Sequence, residues 1–374
     1  MAEVKIRKTE TEGSHNAETV FEAKGVDTIH IDVIKTLFGE KSGVSGAESE
    51  VKVSDCAENA GIRHDVVAIY DNAGIPSIMH RFTLVTNAKL FGGSEKPHPA
   101  FVIGGEVYDE IYISVYENCN INGKPYSLPY QKAWVNITND EAAAACFSKG
   151  EGWHMLTAVE WGLLANISLK NGTLPHGNTY SGKYHADAEE CGELYDPVFT
   201  LTGSGPVAWT HDHTPEGVHD LSGNHWEMVR GLRVTGGTLQ AAQNNDAALD
   251  IDLTPNGDGW QNIMDDCGKP VRASVDEGIT LTVSENIDRD YDGDNWKDVT
   301  IECESEQLKE LALYAGEPYA YLHIDSTDGE YFPIRGRSWG NGPTAGVFCM
   351  SMTDSRSFLS RNLGFRSAYF KKRN

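Results

Sequence analysis

Positive charge, paired cysteine and long apolar runs are what this sequence has little of. It sets 31 Lys and Arg against 55 Asp and Glu, a formal net charge of −24. Nucleic-acid backbones and anionic membrane surfaces need clustered basic side chains, so neither is an expected partner. The closing KKRN is too short to reverse that balance. The 7 cysteines (Cys56, Cys119, Cys146, Cys191, Cys267, Cys303, Cys349) are odd in number, scattered, and nowhere spaced Cys-x-x-Cys. That pattern excludes a disulfide framework or zinc knuckle and suits reduced thiols in a cytoplasm. No run of about 20 apolar residues offers a membrane span. MAEVKIRKTETEGSH carries charge without the apolar core of a signal peptide, so synthesis without export is expected. The sequons at Asn136, Asn166 and Asn171 then carry no meaning.

What is present is enough for a sizeable core: 374 residues, 40% hydrophobic and 9% aromatic, which is globular rather than disordered. Residues 1–62 are polar apart from one amphipathic patch, VDTIHIDVIKTLFGE, and suggest a small attachment module. Short β-like runs broken by Gly, Pro and Asn begin at VVAIYDNAGIPSIMHRFTLV. In FVIGGEVYDEIYISVYEN, Ile111, Ile113 and Val115 fall on one face and Tyr112 and Tyr116 on the other. Two helices are expected. TNDEAAAACFSKG opens with Thr138 and Glu141 at capping-box spacing. TAVEWGLLANISLKNG repeats the device with Thr157 and Glu160 and turns Trp161, Leu164 and Leu169 inward. A third helical pattern appears only at SEQLKELALYAG. Two helices among short antiparallel strands and long loops predict an α+β fold.

The C-terminal segment from Pro333 to Phe370 has a second shortage. Lys, Glu, Gln and His are all missing from it, although the rest of the chain is rich in charge. Small polar residues, single aromatics and arginines stand between glycines.

Three separated motifs, LTAVEW, LSGNHWEMV and RGRSW…SR…NLGFR, resemble the formylglycine-generating-enzyme branch of the C-type lectin fold in content and order, over roughly residues 63 to 374. The chain is similar in particular to the phage and prophage variable proteins of diversity-generating retroelements. That resemblance implies a C-terminal segment, Arg335 to Arg366, rewritten by mutagenesis of Asn-rich codons. A mutated AAY codon becomes NNY, which cannot encode Lys, Glu or Gln, in keeping with the shortage; Trp339, Met350 and Met352 then belong to unmutated codons. The positions expected to vary and touch ligand are Ser338, Gly340, Asn341, Thr344, Cys349, Ser351, Thr353, Asp354, Phe358, Ser360 and Arg361. Arg356, Arg366, Trp339, Phe348 and Phe365 are expected as scaffold.

Chemistry is disfavoured on the same residues. The copper-binding cysteine pair of the oxidase members falls near Asn341 and Gly346, and Cys349 stands alone, so no thiolate pair exists for a soft metal. No H-x-x-x-E-x-x-H pattern supplies an iron site. His211, His213, His219 and His225 lie close in sequence, and HDH could ligate zinc, yet their spacing fits no familiar zinc set. The resemblance implies a structural calcium at Asp220, Glu227 and the carbonyls of Gly223 and His225, hard oxygen donors that suit Ca²⁺. The bland alternative is that Asp220 caps a turn and Glu227 pairs with an arginine such as Arg230. A second acidic run (Asp288, Asp290, Asp292, Asp294, Asp298) resembles an EF-hand loop but has Val299 at its twelfth position, so an acidic surface loop is the expectation.

The expected function is therefore non-enzymatic: a receptor-binding protein of a phage or prophage tail, assembled in the bacterial cytoplasm. No cofactor is required. Its ligand would be a host-surface protein or glycan, its residues 1–62 would attach it to tail proteins, and a homotrimer is an expected assembly. Alternatives are an enzyme of the family with another cofactor and a structural virion component.

Overall fold

The structure, a computed structural model, describes residues 3–8, 18–24, 50–55, 64–316 and 320–373, with side chains from residue 65 onward. Glu3–Lys8 and Glu18–Lys24 form an antiparallel pair. The amphipathic patch at 26–40 lies outside the described residues.

The first large sheet contains β1 (Glu50–Asp55), β2 (His64–Tyr70), β3 (Pro76–Thr83) and β4 (Glu110–Ser114). The chain then forms α1 (Asn139–Phe147), β5 (Trp153–Met155) and α2 (Ala158–Asn171). Strand β1, on the N-terminal side of the boundary expected at 62/63, is the edge of this sheet and pairs with β2. The alternation read in β4 holds. Ile111 and Ile113 enter the main core, whereas Tyr112 packs on the other side with Val67, Ile69, Met79 and Trp153. Both faces are covered, so β4 is buried nearly throughout.

Both helices begin at the capping boxes expected of them. The hydroxyls of Thr138 and Thr157 accept the N–H of Glu141 and Glu160, whose carboxylates accept the threonine N–H in return. Helix α2 is buried on all sides from Ala158 to Ser168 and includes Trp161 and Leu164. Leu169, expected inward, is 36% exposed in the last turn, because at about 100° per residue it lies about 140° around the helix from Leu164.

The second sheet is larger. It contains β6 (Trp226–Met228), β7 (Leu232–Thr235), β8 (Thr238–Ala241), β9 (Tyr291–Asn295), β10 (Tyr321–Asp325), β11 (Glu330–Gly336), β12 (Gly346–Asp354) and β13 (Leu363–Phe365). Its spatial order runs β9-β10-β12-β11-β7-β8, and β6 bridges β11 and β13. The last strand, β14 (Ser367–Tyr369), returns to the first sheet between β5 and β4. The whole is α+β, mostly sheet, with few helices.

The acidic run at 288–298 is not a loop throughout: its middle is β9, paired antiparallel with β10. In an extended strand, side chains two residues apart on one face are separated by about 6.8 Å, too far to converge on one cation. Trp296, which follows β9, is fully buried, and its indole N–H donates to Phe348 O at 3.0 Å.

Candidate ligand-binding surface

The C-terminal segment is held from behind by two indoles. Trp161 of α2 donates to Val347 O at 2.7 Å, and Trp296 donates to Phe348 O. Because β12 lies between β10 and β11 and is covered on both faces, Val347, Phe348, Met350 and Met352 are all in the core. Cys349 and Ser351 are buried with them, at 0% and 5% exposure. These two positions were expected to face a ligand; a central strand with two covered faces has no solvent side. Ser338 is buried too, and its hydroxyl and N–H both donate to Asn341 Oδ1 (3.1 and 3.0 Å). It shapes the loop rather than contacting a ligand.

The other nominated positions divide by depth. Gly340, Phe358 and Arg361 are exposed, whereas Asn341, Thr344, Thr353, Asp354 and Ser360 are half-buried. Thr344 donates to Asn341 O at 2.8 Å and accepts from Arg337, whose guanidinium lies 4.0 Å from the Tyr321 ring. Arg337 adopts φ 63°, in the left-handed region.

The two motifs expected to form the frame dock on each other through their backbones. Gly223 N–H donates to Gly336 O at 3.0 Å, and Trp339 N–H donates to Asn224 O at 3.1 Å. Gly223 has φ 73°, and a Cβ there would meet Asn178 O at 2.2 Å, so glycine is required. The loop after β12 is tied by Asn136 N–H to Ser360 O and by Trp226 N–H to Asn362 O. One ring joins the two loops: Phe199 has the Arg361 guanidinium at 5.2 Å and the Trp339 ring at 6.4 Å. Its stacking partner is His225, with centroids 4.3 Å apart, and His225 Nδ1 meets Glu117 Oε2 at 2.9 Å. No motif in the sequence marks Phe199 or Glu117, because each acts through contacts distant in the chain.

Beneath this surface lies a buried charged cluster. Arg366 Nε donates to Glu227 Oε2 at 2.6 Å, its Nη2 donates to Glu227 Oε1 and to His219 O, and its Nη1 donates to Ser114 O. Burial pushes the Glu227 carboxyl up, against the pull of Arg366. Burial, with the charge of Glu117, pushes Asp220 up to about 7. Asp220 accepts the Gly203 N–H.

This arrangement does not fit the calcium expected at Asp220, Gly223, His225 and Glu227. Both Glu227 oxygens are occupied by the guanidinium, and among the described residues no group of three or more His, Cys, Asp or Glu is placed to hold a metal ion. Arg366 supplies the positive charge here. The histidines also diverge. His211 Nδ1 accepts the Val218 N–H, the His213 ring meets Leu174 O, and His225 meets Glu117. Burial raises the Cys349 thiol to about 12, so it is no thiolate at neutral pH. Arg356 is a tie, as expected, donating to Asp140 Oδ1 (2.7 Å) and Leu253 O (2.6 Å). Phe348 and Phe365 are buried packing residues, and Trp339 is half-buried.

No family model matches the chain, and no curated protein matches it. Among solved structures, one described as the structure of PvdO from Pseudomonas aeruginosa is similar over 84% of this chain and 99% of that one, at 13% identity. The TM-score of 0.32 is too low to support an argument from that likeness. Among the described residues, no helix is long and apolar enough to cross a membrane.

Proposed function

We propose that this protein is a non-enzymatic receptor-binding protein of a phage or prophage tail, built on a C-type lectin fold of the formylglycine-generating-enzyme type. Its ligand contacts lie on the segments at 339–345 and 353–361, diversified by a retroelement. The observation that supports this most is the meeting of Trp339 and Arg361 on Phe199, which places both loops on one surface. Behind them, Arg335, Phe348, Phe365 and Arg366 are buried. Exchangeable side chains on a fixed frame allow partner choice to change without loss of the core. Exposed Phe358 and Arg361 supply an aromatic and a guanidinium, side chains enriched at protein interfaces.

The diversified set is narrower than the sequence suggests: Gly340, Asn341, Thr344, Thr353, Asp354, Phe358, Ser360 and Arg361. The ligand is a host-surface protein or glycan, residues 1–62 attach to tail proteins, and the assembly is a homotrimer. No nucleic acid and no cofactor take part. The test compares host-cell binding by the wild type with that of Phe358→Ala and Arg361→Ala. Loss of binding at unchanged melting temperature supports the reading; equal loss of both assigns these residues to folding. On the DNA, a near-copy of the Arg335–Arg366 coding segment, differing at adenines and lying beside a reverse transcriptase, is the expected companion.

A further inference from the structure

Apart from the loop surface, a cleft of about 420 Å³ opens between α1, the 250–254 loop and β11. Its apolar walls are Phe147, Trp260 and Phe332. Each ring is backed by an arginine: Arg230 lies 5.1 Å from Phe147, Arg233 4.3 Å from Trp260, and Arg356 4.7 Å from Phe332. Trp260 and Phe332 stand 6.2 Å apart, and the Trp260 indole N–H is fixed on Thr254 O at 3.1 Å. The aromatic wall is therefore held in place before any ligand arrives.

The polar lining is of mixed sign. Asp140, Asp250, Asp252, Arg230 and Arg356 all line the same space, with Asp140 in direct contact with Arg356. Both guanidiniums are already engaged. Arg230 donates to Ala247 O, Leu249 O and Ile251 O, and Arg356 donates to Asp140, Leu253 O and Glu330. An anion would meet three aspartates, and a cation would meet two fixed guanidiniums. Asp252 uses Oδ1 for the Thr254 N–H and hydroxyl, which leaves Oδ2 available to a ligand hydroxyl. Rigid aromatic faces beside polar groups of both signs, with little net charge, suit a neutral ring that carries apolar C–H on its faces and hydroxyls around its rim.

We propose that this cleft binds a pyranose ring of a neutral carbohydrate, with Trp260 as the stacking wall and Asp252 and Asp140 as hydroxyl acceptors. Its walls hold none of the diversified positions, since Arg356, the one lining residue from the 353–361 segment, belongs to the scaffold, so it is a constant site beside a changing one and stands independently of the receptor reading.

The test is saturation-transfer NMR on the full chain. The probes are methyl glycosides of glucose, galactose, mannose and N-acetylglucosamine, with butylammonium and cyclohexanecarboxylate as charged controls. Transfer to the ring protons of at least one glycoside is expected. Trp260→Ala and Asp252→Asn should each weaken it about tenfold, equivalent to about 1.4 kcal/mol, while Phe358→Ala leaves it unchanged. Asp252 is exposed, so its variant keeps the fold, and thermal melting checks Trp260→Ala. Absence of transfer to every glycoside, binding of butylammonium alone, or glycoside binding insensitive to both cleft variants overturns the proposal. Sensitivity to Phe358→Ala alone would assign the sugar to the loop surface instead.

Discussion

Arg366 and Glu227 form a two-pronged ion pair in the interior, with Nε and Nη2 of one reaching both carboxylate oxygens of the other. Side-chain exposures are 0% and 1%. The pair joins the C-terminal GFR motif to the central WEM motif, and through Ser114 O it reaches the first sheet. Removing one partner leaves a buried, uncompensated charge. Glu227→Gln should therefore destabilise the protein by about 3–5 kcal/mol, read as a lowered denaturant midpoint. Replacement of both residues by apolar ones of similar volume should cost far less.

The buried carboxyl of Asp220 predicts a pH dependence. Its folded value, raised from 3.8 to about 7 by burial and the charge of Glu117, lies above its unfolded one. Between those values the folded state holds more protons than the unfolded chain, so its contribution to stability falls as pH rises from about 4 to about 7. Asp220→Asn should flatten stability across that window. A profile unchanged by the variant would mean that Asp220 does not titrate there.

Lys149 predicts the opposite slope. It is fully buried, with Nζ 3.5 Å from the Trp153 ring centroid and donating to Ser77 Oγ at 2.7 Å, and burial lowers it from 10.5 to about 7. Here the unfolded chain holds the extra proton, so stability rises as pH climbs from about 7 to about 10.5. Lys149→Met should remove that rise, as followed by urea unfolding at several pH values.

Two positions that the sequence placed together on the diversified face should behave differently. Gly340 has open space around its Cβ position, whereas Cys349 has none of its surface exposed. Gly340→Tyr should leave stability within about 0.5 kcal/mol. Cys349→Tyr overpacks the core and should cost at least about 1–3 kcal/mol. Melting curves of the two variants decide whether diversity at β12 is compatible with folding.

At the loop surface, Phe358→Ala and Arg361→Ala should reduce host-cell binding at least about tenfold, as hot-spot truncations do. Arg361 also lies over Phe199, so Arg361→Lys is a useful companion. Lysine keeps the charge but not the planar guanidinium, and partial recovery is expected.

The sequence was informative wherever a pattern is local. Thr138 with Glu141 and Thr157 with Glu160 marked two helix starts, because a capping box is closed by residues three apart. The alternation through Ile111, Tyr112 and Ile113 marked a strand, because successive side chains point to opposite faces. Arg356 was recognisable as a tie. Depth within the fold was not legible in this way. Cys349 and Ser351 look like Gly340 and Ser360 in composition, yet the central place of β12 between β10 and β11 buries the first two. The calcium site expected at Asp220 and Glu227 gave way to Arg366, which lies 139 residues beyond Glu227 and whose fork takes both oxygens. Phe199, Glu117 and the aromatic cleft carry no sequence signal at all, since each depends on segments that meet only after the two sheets have packed. Local hydrogen bonding and side-chain periodicity act within a few residues, whereas burial and charge pairing depend on the whole folded chain.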